Sequence, residues 1–180
     1  MGDAAGEGGG DAAGCGAAHL RALEAMYAAA PSQRCAGGWS LFVPRAGAAV
    51  VRWEATRGAC HAAGYAHGAS LFKMLDDAAF FAAQSAAATR FVATSAFMTQ
   101  LLAPVAPGEA LVAEGTLLSS ARSSHTARSE VYSLGAGGGG ERRLVAEGLG
   151  TFVALPGAEL RGIEAYAEAY REHAAPAARL

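Results

Sequence analysis

Between residues 17 and 30, Leu20, Leu23, Met26 and Tyr27 fall at helical spacing and Pro31 with Ser32 ends the run, which predicts a short amphipathic helix. Residues 39–43 and 48–53 read as strands separated by a turn at 44–47. The longest predicted element spans residues 69–88, an alanine-rich helix that gathers Leu71, Leu75, Ala78, Ala79 and Ala82 on one face. After it the period changes. Residues 91–102, 110–119, 125–134 and 143–155 are four extended segments, and their connections, a Pro/Gly turn at 104–108 and a glycine-rich loop at 135–140, suit an antiparallel meander. Leu160, Ile163, Tyr166, Ala167 and Tyr170 then predict a last amphipathic helix before a Pro/Ala tail. Runs of strands without intervening helices speak against a parallel sheet, so the class is α+β.

With 180 residues, 52% of them hydrophobic and 17% charged, the chain has the length of one domain and enough apolar content for a core. Residues 1–16 are Gly and Ala with scattered acids, too little apolar surface to offset backbone ordering, and are expected to be disordered. A helix and lead-in at 17–45, a main domain at 46–155 and a terminal helix and tail at 156–180 complete the expected layout. The net charge is −2 with no dense run of Lys and Arg, which argues against a nucleic-acid partner. The uncharged stretch 91–108 contains Thr94, Ser95, Thr99, Gln100, Pro104 and Pro107, a poor membrane span. The N-terminus lacks the basic and apolar regions of a signal peptide and the arginines of a transit peptide, so the expectation is a soluble protein of the cytoplasm or an organelle matrix. Cys15, Cys35 and Cys60 are widely spaced, form no CxxC pair and have no histidine at metal-ligand spacing, so reduced thiols and no metal are expected.

The densest group of reactive side chains is His61-Ala62-Ala63-Gly64-Tyr65-Ala66-His67-Gly68, which leads into the long helix carrying Asp76 and Asp77. A turn that ends in glycine and opens a helix leaves several backbone N–H groups unpaired at the positive end of the helix dipole. Such a place stabilises a carbonyl oxygen as it becomes an oxyanion. By itself a His-Gly pair is also an ordinary helix cap, and Thr94 an ordinary strand residue. Neighbouring residues on a helix point about 100° apart, so at most one of Asp76 and Asp77 faces a common site. Trp39 and Trp53 read as core or interface aromatics, and His125 as a strand-edge residue.

The segment His61-x-x-Gly64-x-x-His67-Gly68, with Asp76 nine residues after His67, resembles the Asn-x-x-Gly-x-x-His-Gly-Gly…Asp signature of hotdog-fold acyl-CoA thioesterases, the phenylacetate-pathway type among them. Thr94 follows Asp76 at the interval of a Ser or Thr in that family, Leu101 to Pro104 is similar to the hydrophobic-x-x-Pro end of a strand, and residues 142–155 to the last strand. The resemblance covers about residues 46–155. It implies a hotdog fold, a long central helix wrapped by a curved antiparallel sheet, here with extra N- and C-terminal helices. It also implies a homodimer with active sites between subunits, pairing further into a dimer of dimers.

In such enzymes the acid on the central helix is general base or nucleophile towards the thioester, and the partner's His-Gly turn is the oxyanion hole. The resemblance places these roles on Asp76 and on His67 and Gly68, with Thr94 holding the acid or the attacking water and Asp77 as a control position. His61 stands where the family has Asn, and Ala69 where it has a second Gly. Gly64 and Ala69 border the thioester path, Arg122 and Ser123 lie against coenzyme A, and Phe80 and Met98 shape the acyl tunnel. The expected function is hydrolysis of an acyl-CoA thioester to free acid and CoA, with CoA part of the substrate and no separate cofactor. A non-catalytic acyl-CoA-binding sensor is the first alternative. The second is an enoyl-thioester hydratase, whose Asp precedes its His on a longer motif, an order absent here.

Overall fold

A computed structural model describes residues 16–160, apart from residues 31, 34–36 and 88. In chain order the elements are α1 (Ala17–Ala29), β1 (Ser40–Arg45), β2 (Ala48–Glu54), a 3-10 turn (Arg57–Ala59), α2 (Gly68–Ala86), β3 (Arg90–Leu101), β4 (Glu109–Ser120), β5 (Ser124–Ala136) and β6 (Arg143–Glu159). Each helix and strand expected between residues 17 and 155 is present. The disordered tail expected ahead of residue 16 and the terminal helix expected after residue 160 lie outside the described residues.

The six strands form one antiparallel sheet in the order β1-β2-β4-β5-β6-β3, with α2 packed across it. The apolar stripe of α2 is the middle of the core: Met74, Leu75, Ala78, Ala79, Ala82 and Ala83 are completely buried. Opposite this stripe, β4 carries Gly115, where an added Cβ would collide with the Ala78 carbonyl and crowd the Ala79 amide. Helix and sheet therefore touch backbone to backbone at this crossing. Ser129 reinforces it by donating its hydroxyl to the Leu75 carbonyl (2.7 Å). Trp39 stacks flat on Trp53 with ring centres 4.5 Å apart, inside the core as expected.

Three expectations change. Only β4, β5 and β6 form a meander; β3 pairs with β6, as in Met98 opposite Leu149, and not with β4. The 102–108 segment does not close a hairpin because it is anchored elsewhere. Leu102 N–H donates to Val145 O, Ala66 N–H to Val105 O and Gly108 N–H to Ala55 O, so the chain crosses beneath the start of α2 from one part of the sheet to another. The turn after β1 is also shorter than expected, because Pro44 and Arg45 belong to the strand, and only Ala46 and Gly47 turn. Proline is tolerated there because β1 is an edge strand. Finally, His125 is not at an edge: β5 lies between β4 and β6, and the imidazole is buried against the Ser120 hydroxyl (2.9 Å).

The end of α2 is stitched to β3 by Gln84, a fully buried side chain. Its amide nitrogen donates to Ala87 O and Arg90 O, and its oxygen accepts from Val92 N–H (2.9 Å). This polar staple sets where β3 begins, and therefore which of its residues stand beside α2.

Gly115→Ala is expected to lower folding stability by about 3 kcal/mol, the upper range for overpacking a tight contact. Gly139→Ala, where a Cβ meets open space, is expected to have little effect. Urea denaturation of the two variants against the parent checks this.

Candidate functional site

The turn ahead of α2 is built from short-range hydrogen bonds. His61 N–H donates to Tyr65 O (2.9 Å), Gly64 N–H to His61 O (2.9 Å) and His67 N–H to Ala59 O (2.8 Å). Gly64 makes this closure with φ +86°, a conformation that L side chains rarely adopt. His67 is the helix N-cap in extended conformation, and its Nδ1 accepts the Ala69 N–H at 3.0 Å. His61 does the same for Ala63 N–H, at 3.1 Å. With Nδ1 accepting, each neutral ring carries its proton on Nε2.

Several free donors were expected here, and the structure leaves fewer. The Ala69 N–H is taken by the imidazole and the Ser70 N–H by His67 O (2.9 Å). Of the first three residues of α2, Gly68 alone has an N–H without an acceptor among the described residues. A Cβ on Gly68 would stand 2.8 Å from the end of the Leu101 side chain. The turn opens on a cleft of about 410 Å³ lined by His61, Tyr65, Gly68 and the 101–105 segment.

Further along the helix, the Thr94 hydroxyl of β3 donates to Asp76 Oδ1 at 2.9 Å. Burial pushes the Asp76 carboxyl above the usual carboxylate range and the charge of Asp77 adds to this, while the Thr94 hydrogen bond and Lys73 pull it back. Asp77 points the other way, towards α1. It pairs with Lys73 and accepts the Tyr27 hydroxyl at 2.9 Å. Its side chain is only 18% exposed, and burial raises its carboxyl too, against the opposing pull of Lys73 and Tyr27. The two acids take different partners, yet the expectation that at most one of them faces a common site does not hold, and Asp77 is no simple control position, because it anchors a half-buried network. Both acids line one cavity of about 260 Å³ with Tyr27, Thr94, Phe80, Phe81 and Phe91.

The chain brings together Asp76, Thr94 and Phe80 in one place, and His61, Gly64, His67, Gly68 and Ala69 in another. Gly68 and Asp76 are eight residues apart on one helix, about 12 Å along its axis. Arg122 and Ser123 lie in the β4–β5 turn. Arg122 lines a third cleft, of about 700 Å³, with Arg90, Ser120 and His125. Met98 is 58% exposed, and by strand alternation it faces away from its core-packed neighbour Phe97. No group of three or more His, Cys, Asp or Glu among the described residues is placed to hold a metal ion, and no described helix is long and apolar enough to cross a membrane. The residues that sequence reasoning missed are Tyr27 and Lys73. The i,i+4 spacing of Lys73 and Asp77 was a legible signal for an ion pair, whereas nothing local ties Tyr27 to residues fifty positions later.

Because burial raises the Asp76 carboxyl, its charged form opposes folding. This cost is absent below the ordinary carboxylate range near pH 4 and complete once pH exceeds the raised value. Asp76→Asn keeps an oxygen for Thr94 and removes the charge, so it is expected to stabilise the fold at pH 7 by about 1 kcal/mol, with the gain shrinking towards pH 4. Urea denaturation at the two pH values measures it.

Residues 63–138 match the model of the thioesterase superfamily. No curated protein matches the sequence. Among solved structures, the chain is similar to the Escherichia coli PaaI protein from the phenylacetic acid degradation operon, at 21% identity and a TM-score of 0.67 over 77% of this chain and 94% of that one. It is similar to a thioesterase family protein from Silicibacter pomeroyi, at 23% identity and a TM-score of 0.64 over 74% and 98%. It is also similar to smu.793 from Streptococcus mutans, solved bound to acetyl CoA, at 17% identity and a TM-score of 0.57 over 66% and 90%. The fold is thus the hotdog fold, as the sequence resemblance implied. The matched segment contains Gly64, His67, Gly68, Asp76 and Thr94, and leaves Tyr27 of α1 outside it.

Proposed function

We propose that this protein hydrolyses an acyl-CoA thioester to the free acid and CoA, in sites formed between two copies of the chain. The observation that carries the proposal is a carboxylate made more basic by burial, with one oxygen held by Thr94, on the helix whose first residue has an N–H unpartnered among the described residues. The match of residues 63–138 to the thioesterase superfamily supports thioester hydrolysis in general. The acetyl CoA bound by the Streptococcus mutans protein supports a CoA thioester as the substrate class.

In this reading Asp76 draws a proton from water as the water oxygen attacks the thioester carbonyl carbon. The negative charge that develops on the carbonyl oxygen is met by the Gly68 N–H, backed by the helix dipole. Collapse breaks the C–S bond, and the sulfur leaves with the proton that Asp76 had taken. Direct attack by Asp76 through an anhydride is the alternative course, distinguished by transfer of labelled oxygen from the enzyme to the acid. Phe80 and its aromatic neighbours line the space beside Asp76 for the acyl group.

A separation of about 12 Å along the helix keeps one chain from applying Asp76 and Gly68 to the same carbonyl. The sheet suggests how a second chain supplies the missing half. At one edge, β1 is six residues long, contains Pro44 and is packed by α1. At the other, β3 presents twelve residues without a partner strand in the described chain, an edge ready to pair. Antiparallel pairing of two β3 strands about an axis near Phe97 sets Thr94 of one copy opposite Leu101 of the other. The first marks Asp76 and the second marks Gly68, so each acid meets the facing copy's turn.

Thiol release from short, medium, long and aromatic acyl-CoAs tests the activity, and Asp76→Asn is expected to abolish it. Gly68→Pro removes the free N–H at a helix position that tolerates proline, after a His67 already at φ −65° and ψ 139°. It is expected to lower kcat by about 10²–10³-fold without unfolding the protein. Mixed and re-equilibrated Asp76→Asn and Gly68→Pro chains are expected to regain about a quarter of parental activity, since half the dimers then hold one intact site. No recovery points to a site within one chain, and acyl-CoA binding without thiol release points to the sensor alternative.

A further inference from the structure

The matched segment leaves α1 out of account, yet α1 reaches the same cavity as Asp76. Its Tyr27 is buried, stands edge-on to Phe81 with ring centres 5.4 Å apart, and donates its hydroxyl to Asp77. Lys73, one turn before Asp77, completes the group. Its ammonium pairs with that carboxylate and lies 5.2 Å from the centre of the Tyr27 ring and 5.0 Å from that of Trp39. Cation–π attraction to two rings and a carboxylate in reach hold the ammonium in one place.

The two neighbouring carboxylates are therefore treated differently. Asp77 has a cation and a phenol as partners. Asp76 has one neutral hydrogen bond from Thr94 and otherwise opens on the cavity. We propose that Asp77 is a positioning residue, held by Lys73 and Tyr27, whose negative charge in its ionised form offsets Lys73 and leaves Asp76 free to accept a proton. The inference rests on the reading of Asp76 as the base of a thioester hydrolase. It makes α1 a part of the working site through Tyr27, and it explains why a second acid is buried where a neutral residue costs less.

The groups that bear on Asp76 are few. From α2 they are Lys73 and Asp77, from α1 Tyr27, and from β3 the uncharged Thr94. In the proposed dimer the imidazoles of His61 and His67 on the facing turn join them. Tyr27 stays protonated at all working pH values, because burial and then the Asp77 charge push its hydroxyl far up. The Lys73 cation and the Asp77 anion thus pull Asp76 in opposite directions. Asp77→Asn leaves Lys73 acting alone, so Asp76 becomes more acidic; removing Lys73 as well reverses the change.

The test is a ¹³C-carboxyl NMR titration of the full-length protein, with the Asp76 resonance identified by its loss in Asp76→Asn. In Asp77→Asn the Asp76 midpoint is expected to move to about tenfold higher proton concentration. In Asp77→Asn/Lys73→Met it is expected to move back. The acid limb of kcat/KM for thiol release should follow both shifts. An Asp76 midpoint that stays in place, moves up in Asp77→Asn, or fails to return in the double variant overturns the proposal, even if activity falls. If the midpoints move as expected but Asp76→Asn still releases thiol at the parental rate, the coupling stands and the hydrolytic reading of Asp76 fails.

Discussion

At Gly115 the sheet comes so close to α2 that a single methyl group would strike the carbonyl of Ala78. Ala78, Ala79, Ala82 and Ala83 are wholly buried along the helix, and at the Gly115 crossing the helix settles deep in the sheet. A deep helix has narrow margins, and on these margins the two carboxylates sit. Asp76 emerges towards β3 within reach of Thr94, and Asp77 towards α1 within reach of Tyr27. Larger residues along the seam would lift α2 and open both contacts at once. The alanine content of the helix thus sets both contacts as well as the packing.

The helix also acts as a ruler. Its N-terminus carries the Gly68 N–H, unpaired among the described residues, and the positive end of the dipole, and Asp76 lies about two turns further on. In the proposed dimer, the β3 edge, which has no partner strand among the described residues, offers a way for a second copy to shorten that distance, whereas the opposite edge, β1, is packed by α1. Burial supplies the rest. The same desolvation that weakens the fold by raising Asp76 makes its carboxylate a better base, the usual conflict between stability and activity at such a position.

Most elements were legible in the sequence because their periods are clean. The helical stripe of Leu71, Leu75 and Ala78 and the extended segments after residue 90 appear where spacing placed them. The neighbour of β3 was not legible. A Pro/Gly stretch reads as a hairpin turn, whereas its direction is set by hydrogen bonds to Val145, Ala66 and Ala55, residues distant in sequence. The cluster of Gly64, His67, Gly68 and Asp76 stood out because its spacing resembles a family signature. What spacing does not reveal is that the His67 ring turns back to occupy the Ala69 N–H, so that a turn expected to offer several donors offers chiefly Gly68. Nor does it show Asp77 as anything but a spare acid, since its partner Tyr27 lies fifty residues earlier.

The sequence by itself determined the α+β class, the helix that carries the acid and the glycines that the turn needs, while the candidate site residues came from its resemblance to a family. The first three are local properties, written in side-chain period and in backbone freedom at particular positions. Tertiary structure alone decided which acid faces β3, how far each carboxylate is removed from water, which strand ends the sheet beside α2 and that α1 shares the cavity. Each of those depends on groups brought close by folding, and desolvation and pairing act through distance in space whatever the separation along the chain.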